Sequence, residues 1–463
     1  MFSYLRRPAG FYRRVGALAA PMILQNLITS TLAMADTFMV GMLGEAPMAA
    51  VTLANIPVFV VQLFFFGVQS GATVLISQYW GRGNLQAINR VTGVALWAVN
   101  LVSVTFALIL LLFPQEFLSL FGNDPQVVAM AADYGRIVGL SYVLNGMTLV
   151  YIAVWRSMER PRLGMYILAA SMTVNTCLNW VLIFGNLGAP ALGVRGAAIA
   201  TLTARVVEIL IVVVHMVRTR SFRFSPGKLL CPGREMTGQF LRCAGPVVCN
   251  ETLWGLGTAI FPTIMGHMAG STEILAAYTI AGNVEKLCLV FAIGISGTAS
   301  ILIGREIGAG RGDSVYELGL VLNTLSVGVG TLLCVSLLSF TYLAGPAWFF
   351  PLFHLSPGAC SIATMMLTVL AVMIPVRDFN HCNIVGVLRG GGDVKAATLI
   401  DLSPLWVVSI PLATLAGSVL HMDILWVYLA MSCEHVVKCG LGILRLRSGK
   451  WVHDLTRMEP FPE

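Results

Sequence analysis

The chain contains a series of apolar stretches, each long enough to cross a lipid bilayer, and this feature limits its possible folds more than any other. A helix needs about 20 apolar residues to span the ~30 Å hydrocarbon layer of a membrane. Between short charged loops we predict twelve such spans, at residues 15–40, 47–77, 90–113, 130–155, 164–187, 191–216, 240–268, 273–303, 316–343, 360–388, 395–420 and 423–446. They occupy nearly the whole chain, so no sizeable soluble domain fits beside them.

Composition agrees with this interpretation. Hydrophobic residues make up 57% of the 463 residues and charged residues only 11%, whereas a soluble domain has about 25% charged residues. The mean hydropathy is +0.81. The sequence therefore predicts an all-α polytopic membrane protein with twelve transmembrane helices.

The basic residues are distributed unevenly between the loops. Four arginines precede the first span, three follow the fourth, and six basic residues lie between residues 218 and 242. Cytoplasmic loops carry the excess of Lys and Arg in membrane proteins. We therefore expect both termini and the central loop to lie in the cytoplasm, which requires an even number of spans, and we place the protein in the cytoplasmic (inner) membrane.

The two halves of the sequence resemble each other. The phrase MVGMLGEAPMAAVTLANIP in the first half is similar to IMGHMAGSTEILAAYTIAGN in the second half. Three pairs of residues keep a step of 225 to 227 positions: Pro21 and Pro246, Gly44 and Gly270, and Gly81 and Gly308. Six spans return each half to the same side of the membrane, so the halves are predicted to be parallel six-helix bundles. We expect an amino-terminal lobe at 1–217, a cytoplasmic linker at 218–239 and a carboxyl-terminal lobe at 240–463.

Two parallel halves around a cleft are typical of transporters that work by alternating access. The alternative is a helical scaffold without a passage. Polar residues in the middle of the spans favour a transporter, because a charge at the membrane centre costs at least ~2.5 to 3.5 kcal/mol and a scaffold has little use for it.

Asp36 is such a residue, in the middle of the first span. Gln25 and Thr29 fall on the same helical stripe, and Ser171, Asn175 and Asn179 repeat every four residues in the fifth span, with Thr201 in the sixth. Carboxylate, amide and hydroxyl oxygens are the ligands of a hard cation, and a desolvated carboxylate also accepts a proton. These residues therefore indicate a cation site. The alternative is that Asp36 stabilises a kink or bonds a neighbouring hydroxyl group for packing alone.

From about Val15 to Trp451 the chain resembles the multidrug and toxic compound extrusion (MATE) family. The resemblance rests on the order of several phrases: ADTFMVGMLGEAPMAAV, the GRG and GAGRG turns, NTCLNWVLIFG followed by GVRGAAIAT, and GVLRGGGD. It implies a cation-driven antiporter that exports small organic compounds, mostly cationic amphiphiles, using a gradient of H⁺ or Na⁺. We expect no enzymatic activity, no nucleic-acid partner, no cofactor or resident metal beyond the coupling ion, and a monomer in membrane lipid.

The resemblance also implies roles for individual residues. Asp36 matches the acidic residue of the first helix that binds the coupling cation, and Asn175, Asn179 and Thr201 match positions that supply further oxygens. The position of Asn179 is often Asp in members with a Na⁺-competent site. With a single carboxylate here, we expect H⁺ to be the coupling ion rather than Na⁺.

The second half has its own candidate acids. Glu251 in the seventh span and Asp378 in the tenth match an acidic pair of the sodium-coupled branch, so we predict a second cation site or a substrate site there. The Tyr that precedes the second acid in that branch is replaced by Ile374, and Arg377 is placed to neutralise Asp378. Helix spacing predicts structural ion pairs for other charges, namely Arg205 with Glu208 and Glu434 with Lys438, and lets Glu285 and Lys286 share a neighbour. Asp401 has no assigned role.

Two further functions remain possible from the sequence. A flippase for a lipid-linked saccharide or another amphiphilic lipid is expected to concentrate Arg and Lys in its cavity, whereas the unpaired mid-span charges here are mainly acidic. An integral membrane enzyme is expected to place a catalytic cluster at one water interface, and the sequence contains no such cluster.

Overall fold

The computed structural model describes residues 3–219, 222, 224–350 and 356–457, and these residues are helical almost throughout. Twelve long helices follow one another in chain order. They are α1 Ala9–Gly41, α2 Glu45–Gly81, α3 Leu85–Leu112, α4 Pro125–Ser157, α5 Arg162–Phe184, α6 Val194–Arg218, α7 Arg234–Gly266, α8 Ser271–Gly308, α9 Val315–Ser339, α10 Pro357–Leu388, α11 Val394–Val419 and α12 Ile424–Arg447.

Within these described ranges, eleven of the helices are long and apolar enough to cross a membrane. The remaining helix, α7, is 33 residues long but is less apolar than the other eleven. The observed helix ends lie within six residues of the predicted spans. Most differences are polar turns that extend a helix beyond its apolar part, as in the first turns of α1. The predicted all-α polytopic membrane fold is confirmed.

Backbone geometry repeats between the two sequence halves. Gly44 (φ 112°) precedes α2, and Gly270 (φ 73°) precedes α8. Gly83 (φ 73°) and Gly310 (φ 78°) occupy the turns that follow the same two helices. Positive φ angles of this kind are readily adopted by glycine and rarely by other residues. The glycine pairs therefore mark equivalent turns of an internal repeat.

The chain packs as two units whose boundaries lie inside α1 and α7. Of the described residues, the amino-terminal unit contains Leu24 to Val248, and the carboxyl-terminal unit contains those up to Ile23 and those from Cys249 to Arg457. Each boundary falls two residues after the helical proline that the sequence repeat pairs, Pro21 or Pro246. The predicted lobes at 1–217 and 240–463 describe the order of the spans and stay a prediction.

In the amino-terminal unit, the beginning of α7 packs tightly on α2. A Cβ atom placed on Gly67 would lie 2.7 Å from the Cα atom of Val248, and one on Gly71 would lie 2.6 Å from the Cα atom of Ala244. Real Cβ atoms do not approach backbone so closely. Glycine therefore lets the two helix backbones meet, as small residues do in other membrane proteins.

The same arrangement recurs in the carboxyl-terminal unit, where the beginning of α1 packs on α8. A Cβ atom on Gly294 would collide with Cγ1 of Ile23 and lie 3.1 Å from its main-chain N, and one on Gly297 would collide with Cε of the Met22 side chain. Each unit thus contains one helix segment from the other sequence half, and this segment packs against a pair of glycines.

Part of the predicted linker is integrated into the amino-terminal unit. The main-chain N–H of Ser225 donates to Oδ1 of Asn89 at 2.9 Å, and Nε1 of Trp97 donates to the carbonyl oxygen of Leu230 at 3.2 Å. A short helix, Pro226–Leu230, therefore lies on α3. Linker residues 220, 221 and 223 lie outside the described residues.

Candidate functional site

The four residues predicted to bind the coupling ion form one hydrogen-bonded chain across α1, α5 and α6. Nδ2 of Asn179 donates to Oδ1 of Asp36 at 2.6 Å and to Oδ1 of Asn175 at 3.0 Å. Nδ2 of Asn175 in turn donates to Oγ1 of Thr201 at 3.4 Å. The structure therefore places these four side chains together, and their role in binding the coupling ion stays a prediction.

The local sequence explains how this chain of bonds is held. Asn175 and Asn179 are four residues apart on α5, so they share its buried face, and they are 2% and 1% exposed. Gly196 on α6 has no side chain where a Cβ atom would lie 2.5 Å from the carbonyl oxygen of Leu182 on α5. Helices α5 and α6 can therefore approach closely enough for Thr201 to reach the amides.

Two further residues lie close to Asp36. Tyr134 of α4 is buried beside Asp36 and Thr201. Arg205 of α6 acts electrostatically on Asp36 and forms an ion pair with Glu208, with 2.5 Å between Nη1 and Oε1. The ion pair with Glu208 was predicted. The proximity of Tyr134 and Arg205 to Asp36 was not predicted, although Arg205 follows Thr201 by one helical turn.

The predicted polar stripe on α1 is divided between different partners. Nε2 of Gln25 donates to the carbonyl oxygen of Pro161 at 2.6 Å, at the connection between α4 and α5. Oγ1 of Thr29 donates to the carbonyl oxygen of Gln25 at 3.0 Å. Gln25 therefore holds a helix connection, whereas Asp36 is bonded to Asn179 of α5.

In the carboxyl-terminal unit, Glu251 of α7 belongs to a chain of alternating charges that includes residues of α11 and α12 and Arg389, which directly follows α10. Its Oε1 lies 3.1 Å from Nη1 of Arg389, whose Nη2 lies 3.6 Å from Oδ2 of Asp401. Nζ of Lys438 lies 3.0 Å from Oδ1 of Asp401 and 3.3 Å from Oε2 of Glu434. The predicted pair of Glu434 and Lys438 is therefore confirmed, and we call these five residues the carboxyl-terminal charge chain.

This charge chain is buried and carries unequal numbers of acids and bases. The side chain of Arg389 is fully buried and that of Lys438 is 4% exposed. Three carboxylates and two cations give a net charge of −1 when all five residues are ionised. Asp401 contacts both cations, whereas Glu251 and Glu434 contact one each. The sequence left Asp401 unassigned because its partners come from other helices.

Asp378 has different surroundings from Glu251. Its side chain is 3% exposed, its carbonyl oxygen accepts a bond from Oγ of Ser326 on α9 at 2.9 Å, and its Oδ2 has no hydrogen-bond partner among the described residues. Arg377 forms its ion pair with Glu285 of α8. Successive helical residues point about 100° apart, which explains why Arg377 faces another acid than the adjacent Asp378. Asp378 thus lies at the α9–α10 interface, whereas Glu251 belongs to the carboxyl-terminal charge chain.

The repeated halves, the long apolar helices and the acids buried within them define a polytopic membrane transporter. The MatE family model matches residues 21–181 and 246–415, one block in each sequence half. The chain therefore belongs to the multidrug and toxic compound extrusion (MATE) family, as the sequence phrases predicted.

Known proteins are similar to the chain over nearly its full length. The uncharacterized transporter YisQ of Bacillus subtilis is 25% identical over 452 residues, which cover 97% of each chain. The probable multidrug resistance protein NorM of Thermotoga maritima is 25% identical over 438 residues, covering 94% of this chain and 92% of NorM. The solved structure of a MOP superfamily transporter from Pyrococcus furiosus has the same fold, with a TM-score of 0.84, 18% identity and 96% coverage of each chain.

Proposed function

We propose that the protein exports organic compounds, mainly cationic amphiphiles, across the inner membrane in exchange for protons, by alternating access. The names of similar proteins such as NorM support a role in multidrug resistance. The positive-inside distribution of Arg and Lys supports cytoplasmic termini. The choice of ion rests on one observation, the contact between Asn179 and Asp36.

That contact presents an N–H group, not an oxygen, to the carboxylate. The 2.6 Å distance from Nδ2 of Asn179 to Oδ1 of Asp36 is typical of a charge-assisted hydrogen bond to an ionised carboxylate. A hard metal cation requires several oxygen ligands around it. A metal ion bound at this oxygen of Asp36 would have to displace the Nδ2 group of Asn179 that occupies it. A proton requires no such rearrangement.

Protonation of Asp36 then provides the coupling step. The neutral carboxyl group no longer makes a charge-assisted bond with Asn179, so the link between α1 and α5 weakens. An organic cation and a proton neutralise the same single charge on Asp36, so they bind in alternation. In the carboxyl-terminal unit, we propose that Glu251 and Asp378 serve a second cation or the substrate, and that Glu251 does so while bonded to Arg389.

The test is transport by Asp36→Asn in everted membrane vesicles, in Na⁺-free medium with an imposed pH gradient. A fluorescent organic cation serves as the substrate. The variant keeps a side chain of the same shape, so it should insert normally and lose proton-driven transport. Asp133→Asn is the matched control, because Asp133 pairs with Arg195 at 2.7 Å on an exposed part of the same unit. Transport by Asp36→Asn at the wild-type rate would refute the proposal.

A flippase for a lipid-linked saccharide or another amphiphilic lipid is the second candidate. The buried Arg389 and Lys438 are the observation that favours it, because an anionic headgroup requires cations in the cavity. Both side chains already contact carboxylates, so an anionic lipid would have to compete with Asp401 and its neighbours. Transport of the organic cation and absence of lipid translocation in the same vesicles would separate the two functions.

A further inference from the structure

Arg205 occupies a position from which it influences the proposed proton site. It follows Thr201 by four residues on α6, so the two side chains emerge from the same helix face about 6 Å apart along the axis. Thr201 belongs to the hydrogen-bonded chain that ends at Asp36. The guanidinium of Arg205 accordingly acts on Asp36 through its charge.

Arg205 also faces a second acid. Its Nη1 lies 2.5 Å from Oε1 of Glu208, whose side chain is fully buried while that of Arg205 is 21% exposed. Oε2 of Glu208 has no hydrogen-bond partner in the part of the chain that the structure describes. One guanidinium is therefore paired with Glu208 and also acts through its charge on Asp36. The three groups together carry a charge of −1 when ionised.

We propose that Arg205 is a tethered counter-ion shared by Glu208 and Asp36, and that its charge makes the Asp36 site selective for H⁺ over Na⁺. This inference rests on the proposed proton-coupled transport. It assigns Arg205 a role in ion selectivity, beyond the structural pair that helix spacing predicts.

The charges explain the selectivity. A proton binds directly to an oxygen of Asp36 and needs no other ligand, so a nearby guanidinium does not block its approach. A sodium ion must sit among several oxygens next to that guanidinium, and like charges repel strongly where water is excluded. Among the groups that act on Asp36, Asn179 from α5 is uncharged and Arg205 from α6 is charged. Tyr134 from α4 also faces both Asp36 and Arg205.

Partner exchange follows from the same arrangement. When Asp36 is ionised, it competes with Glu208 for Arg205. When Asp36 carries the proton, Arg205 pairs with Glu208 alone, as the 2.5 Å contact allows. Glu208 thus prevents Arg205 from forming a permanent ion pair with Asp36. The extent to which Arg205 neutralises the charge of Asp36 depends on this competition.

Three variants test this role: Glu208→Gln, the double variant Arg205→Gln with Glu208→Gln, and Asp36→Asn. Glu208→Gln leaves Arg205 with Asp36 alone, so proton-driven export of the organic cation should fall about tenfold, within the usual range of coupling between sites. The double variant removes both charges and avoids an unpaired buried carboxylate. It should recover proton-driven export to within about threefold of wild type and gain about tenfold stimulation by millimolar NaCl at constant pH.

The matched control is the double variant Asp133→Asn with Arg195→Gln, which removes another acid–arginine pair from the same unit. It should show wild-type export and no response to Na⁺. Size-exclusion profiles in detergent identify any variant that fails to fold. Undiminished export by Glu208→Gln, or a folded Arg205/Glu208 double variant without a Na⁺ response, would overturn the role of Arg205. Proton-driven export by Asp36→Asn at the wild-type rate would instead refute the proposed function itself.

Discussion

The Nη1 atom of Arg389 lies 3.1 Å from Oε1 of Glu251, so the acid of α7 is bonded to a buried guanidinium. Arg389 also contacts Asp401, which contacts Lys438 in turn. The carboxyl-terminal charge chain therefore has a centre and two ends. Asp401 at the centre balances two cations, whereas Glu251 at one end balances one. Removal of the Asp401 carboxylate should therefore affect stability much more than removal of the Glu251 carboxylate.

Glu251→Gln should leave the protein stable, whereas Asp401→Asn should destabilise it. In the first variant, two carboxylates and two cations remain and every cation keeps a carboxylate partner. In the second, Arg389 and Lys438 both lose a bond from a shared acid, and breaking a buried pair costs ~3 to 5 kcal/mol. Thermal unfolding in detergent measures the difference. Equal losses of stability in the two variants would show that Asp401 is not the centre of the chain.

Asn179→Asp should introduce a response to Na⁺. The new carboxylate would lie at the 2.6 Å contact with Asp36, and two carboxylates at this distance can both be ionised only with a cation such as Na⁺ between them. Transport at fixed pH, with and without millimolar NaCl, should show stimulation in the variant alone. Asn186→Asp provides the control, because Asn186 bonds the carbonyl oxygen of Trp180 at an exposed site. If transport by the wild-type protein requires Na⁺ and does not depend on pH, the assignment of H⁺ as the coupling ion is wrong. Antiport driven by Na⁺ would agree with that result.

Gly67→Ala should destabilise the amino-terminal unit by ~1 to 3 kcal/mol, the usual penalty for overpacking. Its Cβ atom would lie 2.7 Å from Cα and 2.9 Å from N of Val248, and main-chain atoms cannot rotate away. Gly282→Ala in α8 is the control, since a Cβ atom there meets no heavy atom within 4 Å. That change should be neutral or slightly stabilising in a helix. Detergent melting curves that shift equally for both variants would contradict the close approach of α2 and α7.

Reporter fusions should place Ser225 in the cytoplasm and Asn123 and Gly188 on the opposite side. The prediction rests on the basic residues of the central loop and on the number of helices between the three positions. An enzyme reporter active only in the cytoplasm and one active only outside it form the complementary pair. A signal outside the cytoplasm at Ser225 would exclude two parallel halves.

Much of the fold was predictable because membrane spans depend on local composition. The glycine turns at Gly44 and Gly270 were also visible, since a repeated backbone conformation needs a repeated residue. The hydrogen bonds that link the side chains of Asp36 and Thr201 were predictable in part. Asn175 and Asn179 lie on one face of α5, which helix periodicity alone establishes.

The partners of charged residues were harder to predict, because they come from helices that are distant in sequence. Asp401 had no assigned role until Arg389 and Lys438 were seen beside it. Arg377 was paired by proximity with Asp378, although its ion pair is with Glu285. Periodicity identifies the face of a helix on which a residue lies, and does not identify the helix that meets that face.

The position of the unit boundaries inside α1 and α7 has a consequence for biosynthesis. The ribosome completes α2 long before it reaches Ala244 and Val248, so the glycine face of α2 has no such cover when the first six helices have been made. The residues up to Ile23 likewise lack their packing partner until α8 has been made. The amino-terminal unit can therefore mature only once the beginning of α7 has been made, and the insertion machinery must handle an incomplete bundle until then. The carboxyl-terminal unit, in turn, is completed around residues that were made at the start of synthesis.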